Sequence, residues 1–203
     1  MQANREIATF STIFNRAREW GFAQGANPCE GVRRHREEAR SRYVTNEEYL
    51  SVWKCADDAT KDAMDIALLT GQREGDVLRL KESDIRGGIL YIRQSKTKMP
   101  LRIPVLGMLE EVVARILARP GRRAPTLIQN SKGESVTGDA LRNRFRLARD
   151  KVGVHFQFRD LRAKAATDLE SLEHAQKLLG HKTRNMTEDY VRHRLGDLVM
   201  PLK

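Results

Sequence analysis

One stretch of the chain alternates, and nearly everything around it repeats at helical spacing. In "GGILYIRQSKTKMPLRIPV", Ile89, Tyr91 and Arg93 alternate with Leu90, Ile92 and Gln94. That is the two-residue period of a half-buried strand. "LRIPV" follows as a second short strand, with "SKTKM" between them at a hairpin tip. The pattern supports one small antiparallel sheet, so the core must otherwise be built from helices.

The flanking segments meet that demand. "VTNEEYLSVWKCA" opens with Thr45 as N-cap and Glu48 three residues on, a capping box. "TKDAMDIALLTG" reads as a mostly buried helix closed by Gly71, and "REGDVLRLKESDI" continues as a short one. "GMLEEVVARILAR" is amphipathic and ends at Pro120 and Gly121. "TGDALRNRFRLARDKVG" starts at a Thr137 N-cap, with Leu141, Phe145 and Ala148 on one stripe and Arg142, Arg146 and Arg149 largely off it. "RDLRAKAATDLE", "SLEHAQKLLG" and "RNMTEDYVRHR" read as three more short helices, with Gly180 ending one and Thr183 capping the next. The fold class expected is mainly α with a small antiparallel β-sheet, an α+β arrangement.

The first 41 residues stand apart. Ile7, Phe10, Ile13, Phe14, Ala17 and Trp20 form a helical stripe that ends at Gly21, and "GANPCEG" then breaks the chain. One amphipathic helix cannot bury its own stripe, so it docks elsewhere or ends a domain whose beginning is absent. Trp20 and Trp53 are expected to be packing residues. "VRRHREEARSR" carries five arginines and reads either as a solvated linker or as a strap along a phosphate backbone. The division expected is 1–41 and 42–203.

Charge narrows the partner. The 203 residues carry a net charge of +10, a self-repulsion that a polyanion relieves. Nucleic acid is the first candidate and an anionic membrane surface the second. With 40% apolar residues a real core is within reach, and no apolar run approaches transmembrane length. "MQANREIATF" lacks the apolar core of a signal peptide, and Cys29 and Cys55 have no metal-type spacing. The reading is a cytoplasmic protein with reduced thiols. His174 and His181 lie seven apart rather than the about four of a helical ligand pair, and no cluster of paired carboxylates suits two metals. No cofactor is expected.

A phosphate under attack spreads negative charge over its non-bridging oxygens, and arginine answers with a planar fork of permanent donors. Arg73 lies just past the Gly71 break, Arg162 in the approach to an Ala-rich helix, and Lys96 at the hairpin tip. Taken singly, each reads as a solvated basic residue, and Tyr190 reads as a core tyrosine or a kinase target. In order, however, the chain offers "TGQREGDVLRL", "QSKTK", "RDLR", "LLGH" and "TEDY". Together these resemble the catalytic domain of the tyrosine recombinases, the phage integrase family, over about residues 43–194. The resemblance makes Arg73 and Arg162 the paired arginines, Asp76 their acidic brace, Lys96 the lysine of the sheet turn, His181 the histidine and Tyr190 the nucleophile. It also makes the helix near residues 5–21 the last helix of a core-binding domain that is otherwise missing.

The chemistry so implied is transesterification without metal or ATP, through a 3′-phosphotyrosyl link and a free 5′-hydroxyl. Arg73 and Arg162 would neutralise the phosphorane, His181 would donate to a non-bridging oxygen, and Lys96 would protonate the leaving oxygen. One position departs: Arg159 stands where the family has the histidine of "HxxR". Arginine stays protonated and cannot accept the tyrosine's proton. Either Arg159 binds phosphate or stabilises the phenolate while His181 or water takes the proton, or catalysis is impaired. Two alternatives therefore stand beside the recombinase: a DNA-binding protein without catalysis, and a type IB-like relaxing topoisomerase.

The partners implied are double-stranded DNA attachment sites, a homotetramer on DNA with a monomer in its absence, and accessory DNA-bending factors. Arg33, Arg34 and Arg36 of the linker and Arg142, Arg144 and Arg146 of the arginine row are the expected DNA contacts. The tail "LGDLVMPLK" either packs on its own domain or docks on a neighbouring protomer.

Overall fold

The computed structural model describes residues 2–36, 42–169, 171–188 and 191. The chain divides into two compact units, 1–40 and 41–203.

In the first unit α1 (Gln2–Glu19) carries the expected stripe, but none of its residues is buried. Trp20 is 69% exposed and Phe22 82%, so Trp20 is not the packing residue expected. The segment after α1 runs back along it. Asn27 donates to Ser11 and Asn15, each at 2.9 Å, and Asn4 exchanges two hydrogen bonds with the backbone of His35.

In the second unit α2 (Asn46–Cys55) starts at the Thr45–Glu48 capping box, which is fully formed. Next come α3 (Asp58–Thr70), α4 (Glu74–Val77) and a short 3-10 turn, Glu82–Asp84. Three antiparallel strands follow in the order β1 (Ile85–Arg86), β2 (Ile89–Arg93) and β3 (Pro100–Pro104). In their register Leu90 faces Ile103 and Ile92 faces Leu101. Leu90 and Ile92 are buried while Tyr91 and Arg93 are exposed, the alternation read from sequence. β3 is an edge strand, where Pro100 and Pro104 cost no ladder bonds. The unit continues with α5 (Met108–Leu117), α6 (Gly138–Val152) from its Thr137 cap, α7 (Asp160–Thr167) and α8 (Leu172–Leu179). The molecule is thus mainly helical with one small antiparallel sheet.

Packing around α7 sets the positions of the basic residues near it. Every residue of α7 is buried, and its alanines let α3 and α8 approach it closely. Ahead of α7, Phe156 and Phe158 point inward and meet Phe145 of α6 edge-on, at 5.3 and 5.5 Å between centroids. The residues between and after them, Gln157 and Arg159, face outward by the same alternation.

Candidate active site

The site is assembled at helix ends. α3 closes at Gly71 and α8 at Gly180, both in the left-handed region, and each end leaves carbonyls without intrahelical partners. Arg162, from the buried helix between them, supplies the donors. Its Nη1 reaches Gly71 O at 2.5 Å and its Nη2 reaches Leu179 O at 2.6 Å. The negative ends of two helices thus favour a guanidinium that is only 4% exposed.

The chain leaves α8 through Gly180, and that bend turns His181 back onto Arg162. His181 Nε2 lies 3.3 Å from Arg162 Nη2, and Nδ1 lies 3.0 Å from Thr187 Oγ1. A guanidinium only donates, so Nε2 is the acceptor and Nδ1–H donates to Thr187. Burial, then Arg162, then Arg73 lower the imidazole pKa to about 4. His181 is therefore neutral at pH 7 with its Nε2 lone pair directed at Arg162. The next helical turn starts at residue 185, and Arg184 O accepts the N–H groups of Thr187 and Glu188. Arg184, not Thr183, stands at the cap position.

Arg73 is the N-cap residue of α4, in extended conformation, which sends its side chain out of the helix. Its Nη1 lies 3.4 Å from Gln94 Oε1 and 3.9 Å from Asp76 Oδ2. Asp76 is 4% exposed, and its Oδ1 accepts from Arg79 at 2.6 Å and from the backbone N–H of Ser95 at 2.8 Å. One carboxylate therefore braces Arg73 and ties it to the hairpin turn that carries Lys96. Lys96 itself is exposed on that turn.

Arg73 and Arg162 line a groove of about 690 Å³ together with Arg79, Arg142 and Arg159, with Glu74 as the one carboxylate among the described residues that line it. A cavity with five arginines and one acid is a phosphate-shaped environment. Arg159, turned outward by the Phe156–Phe158 alternation, is placed among these donors. Arg142 bonds Glu74 at 2.5 Å and Asp139 at 2.6 Å. The other two arginines of that row point elsewhere: Arg144 pairs with Asp57 at 2.5 Å and Arg146 with Asp150 at 3.0 Å. Arg33, Arg34 and Arg36 are exposed in the first unit, and Tyr190 lies outside the described residues. Among the described residues no cluster of His, Cys, Asp and Glu is arranged to hold a metal ion, and no helix is long and apolar enough to cross a membrane.

Two residues that sequence reasoning passed over join these parts. Gln94, fully buried, donates to Gln72 Oε1 at 2.8 Å and to Leu179 O at 3.0 Å. Gln72 in turn donates to Thr70 O at 2.7 Å and Leu178 O at 3.1 Å. The available signal was Gln94's place one residue past β2, in step with its inward-facing Leu90 and Ile92, where a polar residue needs partners.

Residues 42–195 match the phage integrase family. The chain is 32% identical to the integrase of Enterobacteria phage 434 over 201 residues, 89% of this chain and 56% of that one. The integrase of Escherichia phage lambda matches at 32% with the same coverage. The chain thus spans about half the length of the curated relatives it matches, 56% in these two cases. A lambda integrase dimer bound to a COC′ core site superposes with a TM-score of 0.82 at 29% identity, covering 96% of this chain and 60% of that one. The lambda integrase catalytic core gives 0.61 at 33% identity, over 70% of this chain and 92% of that one. The Tn1549 transposon integrase, 17% identical with a TM-score of 0.75, shares the fold.

Proposed function

This chain belongs to the phage integrase family, and from that premise we propose that it is a tyrosine-type site-specific recombinase. The observation that carries the reading is the joining of Arg73, Arg162 and His181 to the Lys96 turn through Asp76 and Gln94. Tyr190 Oη attacks the scissile phosphorus, so a tyrosyl O–P bond forms as the P–O5′ bond breaks. The phenol proton passes to His181 Nε2 once Arg162, which donates to that lone pair in the DNA-free site, turns to the phosphate. The resulting imidazolium then donates to a non-bridging oxygen, so His181 accepts first and donates second. Lys96 transfers a proton to the departing 5′-oxygen. Arg73 and Arg162 hold the phosphorane's charge, and Arg159 adds a further phosphate donor. A 5′-hydroxyl from another strand reverses each transfer, and the phosphotyrosyl bond conserves the energy, so no ATP is consumed.

DNA attachment sites are the substrates, and exchange between two duplexes calls for a tetramer on DNA. A lambda integrase tetramer bound to a Holliday junction, 29% identical with a TM-score of 0.83, supports that assembly. The test is covalent capture on nicked duplex carrying the attachment sequence, read on a denaturing gel. The chain forms a protein–DNA adduct and Tyr190→Phe forms none. Adduct-free protein that still binds DNA would mean a binder without catalysis. Relaxation of any supercoiled plasmid, without site preference, would mean a topoisomerase.

A further inference from the structure

A general acid on a flexible turn is useful only if the turn is held where its proton is needed. Lysine carries its charge on four rotatable bonds, so the backbone beneath it must be fixed by something else. In this molecule one residue does most of that fixing. Gln94 closes the turn with its backbone, donating to Met99 O at 3.0 Å and accepting from Lys98 N at 2.9 Å. Its side chain grips the turn a second time, because Oε1 accepts from Thr97 Oγ1 at 2.6 Å. The other end of the same amide is anchored to Gln72 Oε1 and to Leu179 O, on the bend that presents His181. Oε1 also lies 3.4 Å from Arg73 Nη1.

The amide orientation is forced. Leu179 O is an acceptor, and Gln72 Oε1 is available because Gln72 Nε2 already serves two carbonyls. Arg73, which can only donate, then requires the oxygen on the opposite side, and Thr97 donates to that same oxygen. Gly180 makes room: a Cβ there would stand 3.1 Å from the Gln94 amide. No hydrocarbon or carboxylate of the same size reproduces this set of two donations and two acceptances.

We infer that Gln94, acting through Thr97 and the turn, is a positioning residue that aims Lys96 at the leaving 5′-oxygen from the same anchor that places His181. The inference rests on Lys96 as the acid that protonates that oxygen. Gln94 touches no reacting atom, so its effect on the acid is read through the step that Lys96 performs.

The experiment uses the nicked duplex on which the adduct forms, made with either oxygen or sulfur at the 5′-bridging position. A thiolate leaves without a proton, so the sulfur substrate makes the acid dispensable. Single-turnover cleavage by Gln94→Leu falls about 10²-fold on the oxygen substrate and recovers to within about threefold of the parent chain on the sulfur one. Lys96→Ala shows the same pattern. Thr97→Val, which deletes one hydroxyl at a half-buried site, falls about tenfold and recovers likewise, so it decides the matter if Gln94→Leu fails to fold. If Lys96→Ala recovers on sulfur while Gln94→Leu and Thr97→Val do not, Gln94 serves only the arginine and histidine side, and the inference is overturned. Unimpaired cleavage by both variants also overturns it. If Lys96→Ala is itself not recovered, the acid assignment falls, and this inference falls with it.

Discussion

Arg162 Nη2 donates to both Leu179 O and His181 Nε2, so the guanidinium that caps α8 also holds the imidazole neutral. The His181 pKa, lowered to about 4 by burial, Arg162 and Arg73, gives this a consequence in stability. Between about pH 4 and the ordinary histidine value near 6.5, the unfolded chain binds a proton at this position that the folded chain does not. Stability therefore rises with pH across that window, is fully present above about 6.5, and is lost on acidification toward 4. The slope from this one group is at most about 1.4 kcal/mol per pH unit. Urea midpoints of the DNA-free protein at pH 7 and pH 5 measure the loss. His181→Gln shrinks the difference between those two midpoints, since the side chain then has nothing to titrate.

Gly180 is constrained twice, by φ of +62° and by a Cβ position 3.1 Å from the Gln94 amide. Gly153, at the end of α6, has φ of +67° and open space around its Cβ position. Backbone strain alone costs about 1–2 kcal/mol at either site. Gly153→Ala is expected to show that cost in urea and to leave DNA cleavage unchanged. Gly180→Ala shows it too, and also lowers cleavage at least about tenfold, because the buried amide network must shift. Equal cleavage by the two variants would show that the contact with Gln94 does not matter.

Much of this site was legible because its parts are local. The capping box at Thr45 and Glu48, the Gly71 and Gly180 stops and the alternation of β2 each depend on neighbours within a few residues. The order of Arg73, Lys96, Arg162 and His181 along the chain carried the rest. What stayed hidden depends on partners distant in sequence. Gln94 bonds to residues 22 and 85 positions away, and only the folded arrangement of two helix ends makes those bonds available. Lys164 is another case. It sits on the buried α7, 1% exposed, because Asp168 and Tyr43, the latter 121 residues upstream, surround its ammonium. The arginine row of α6 is a mixed case: Arg146 pairs with Asp150 four residues on, whereas Arg144 meets Asp57 and Arg142 meets Glu74, 87 and 68 residues upstream.

The acids on α3 illustrate the structural use of charge. Asp62 is fully buried and accepts from Arg115 at 2.9 Å and from Arg119 at 2.9 Å, tying α3 to α5. Removing it leaves Arg115 with Asp65 and Arg119 with the more distant Asp58 around a buried gap. Both arginines keep some exposure, which softens the loss to about 2–3 kcal/mol. Asp62→Ala is expected to show that decrease in equilibrium urea unfolding, with the cleavage rate of the folded fraction preserved. An unchanged midpoint would mean that solvent replaces the carboxylate at no cost.

Arg142 and Arg144 separate two uses of one helix. Arg142 lines the groove, whereas Arg144 is held by Asp57 at 2.5 Å and lies outside it. Arg142→Ala should weaken binding to all duplex sequences alike and reduce the salt slope of log K by about 1, the signature of one lost phosphate contact. Arg144→Ala should leave the slope nearly unchanged. Fluorescence anisotropy across a salt series measures both, and slopes reduced equally in the two variants would place Arg144 on the DNA as well.

Arg159 tests how the proton leaves Tyr190. Arg159 lines the groove with Arg73 and Arg162, where a guanidinium can donate to phosphate but accepts no proton. His181 is neutral at pH 7, and its Nε2 lone pair, which accepts from Arg162 in the DNA-free site, is the acceptor proposed above, so that work has a holder without Arg159. Replacing Arg159 with histidine then adds a second base and removes one phosphate donor. Arg159→His is expected to retain or raise single-turnover cleavage of nicked duplex while weakening DNA binding by less than about tenfold. Arg159→Ala, which removes the donor and adds no base, should cleave more slowly than Arg159→His. If both variants lose cleavage alike, the guanidinium itself is required at the phosphate, and restoring the histidine of the family pattern cannot substitute for it.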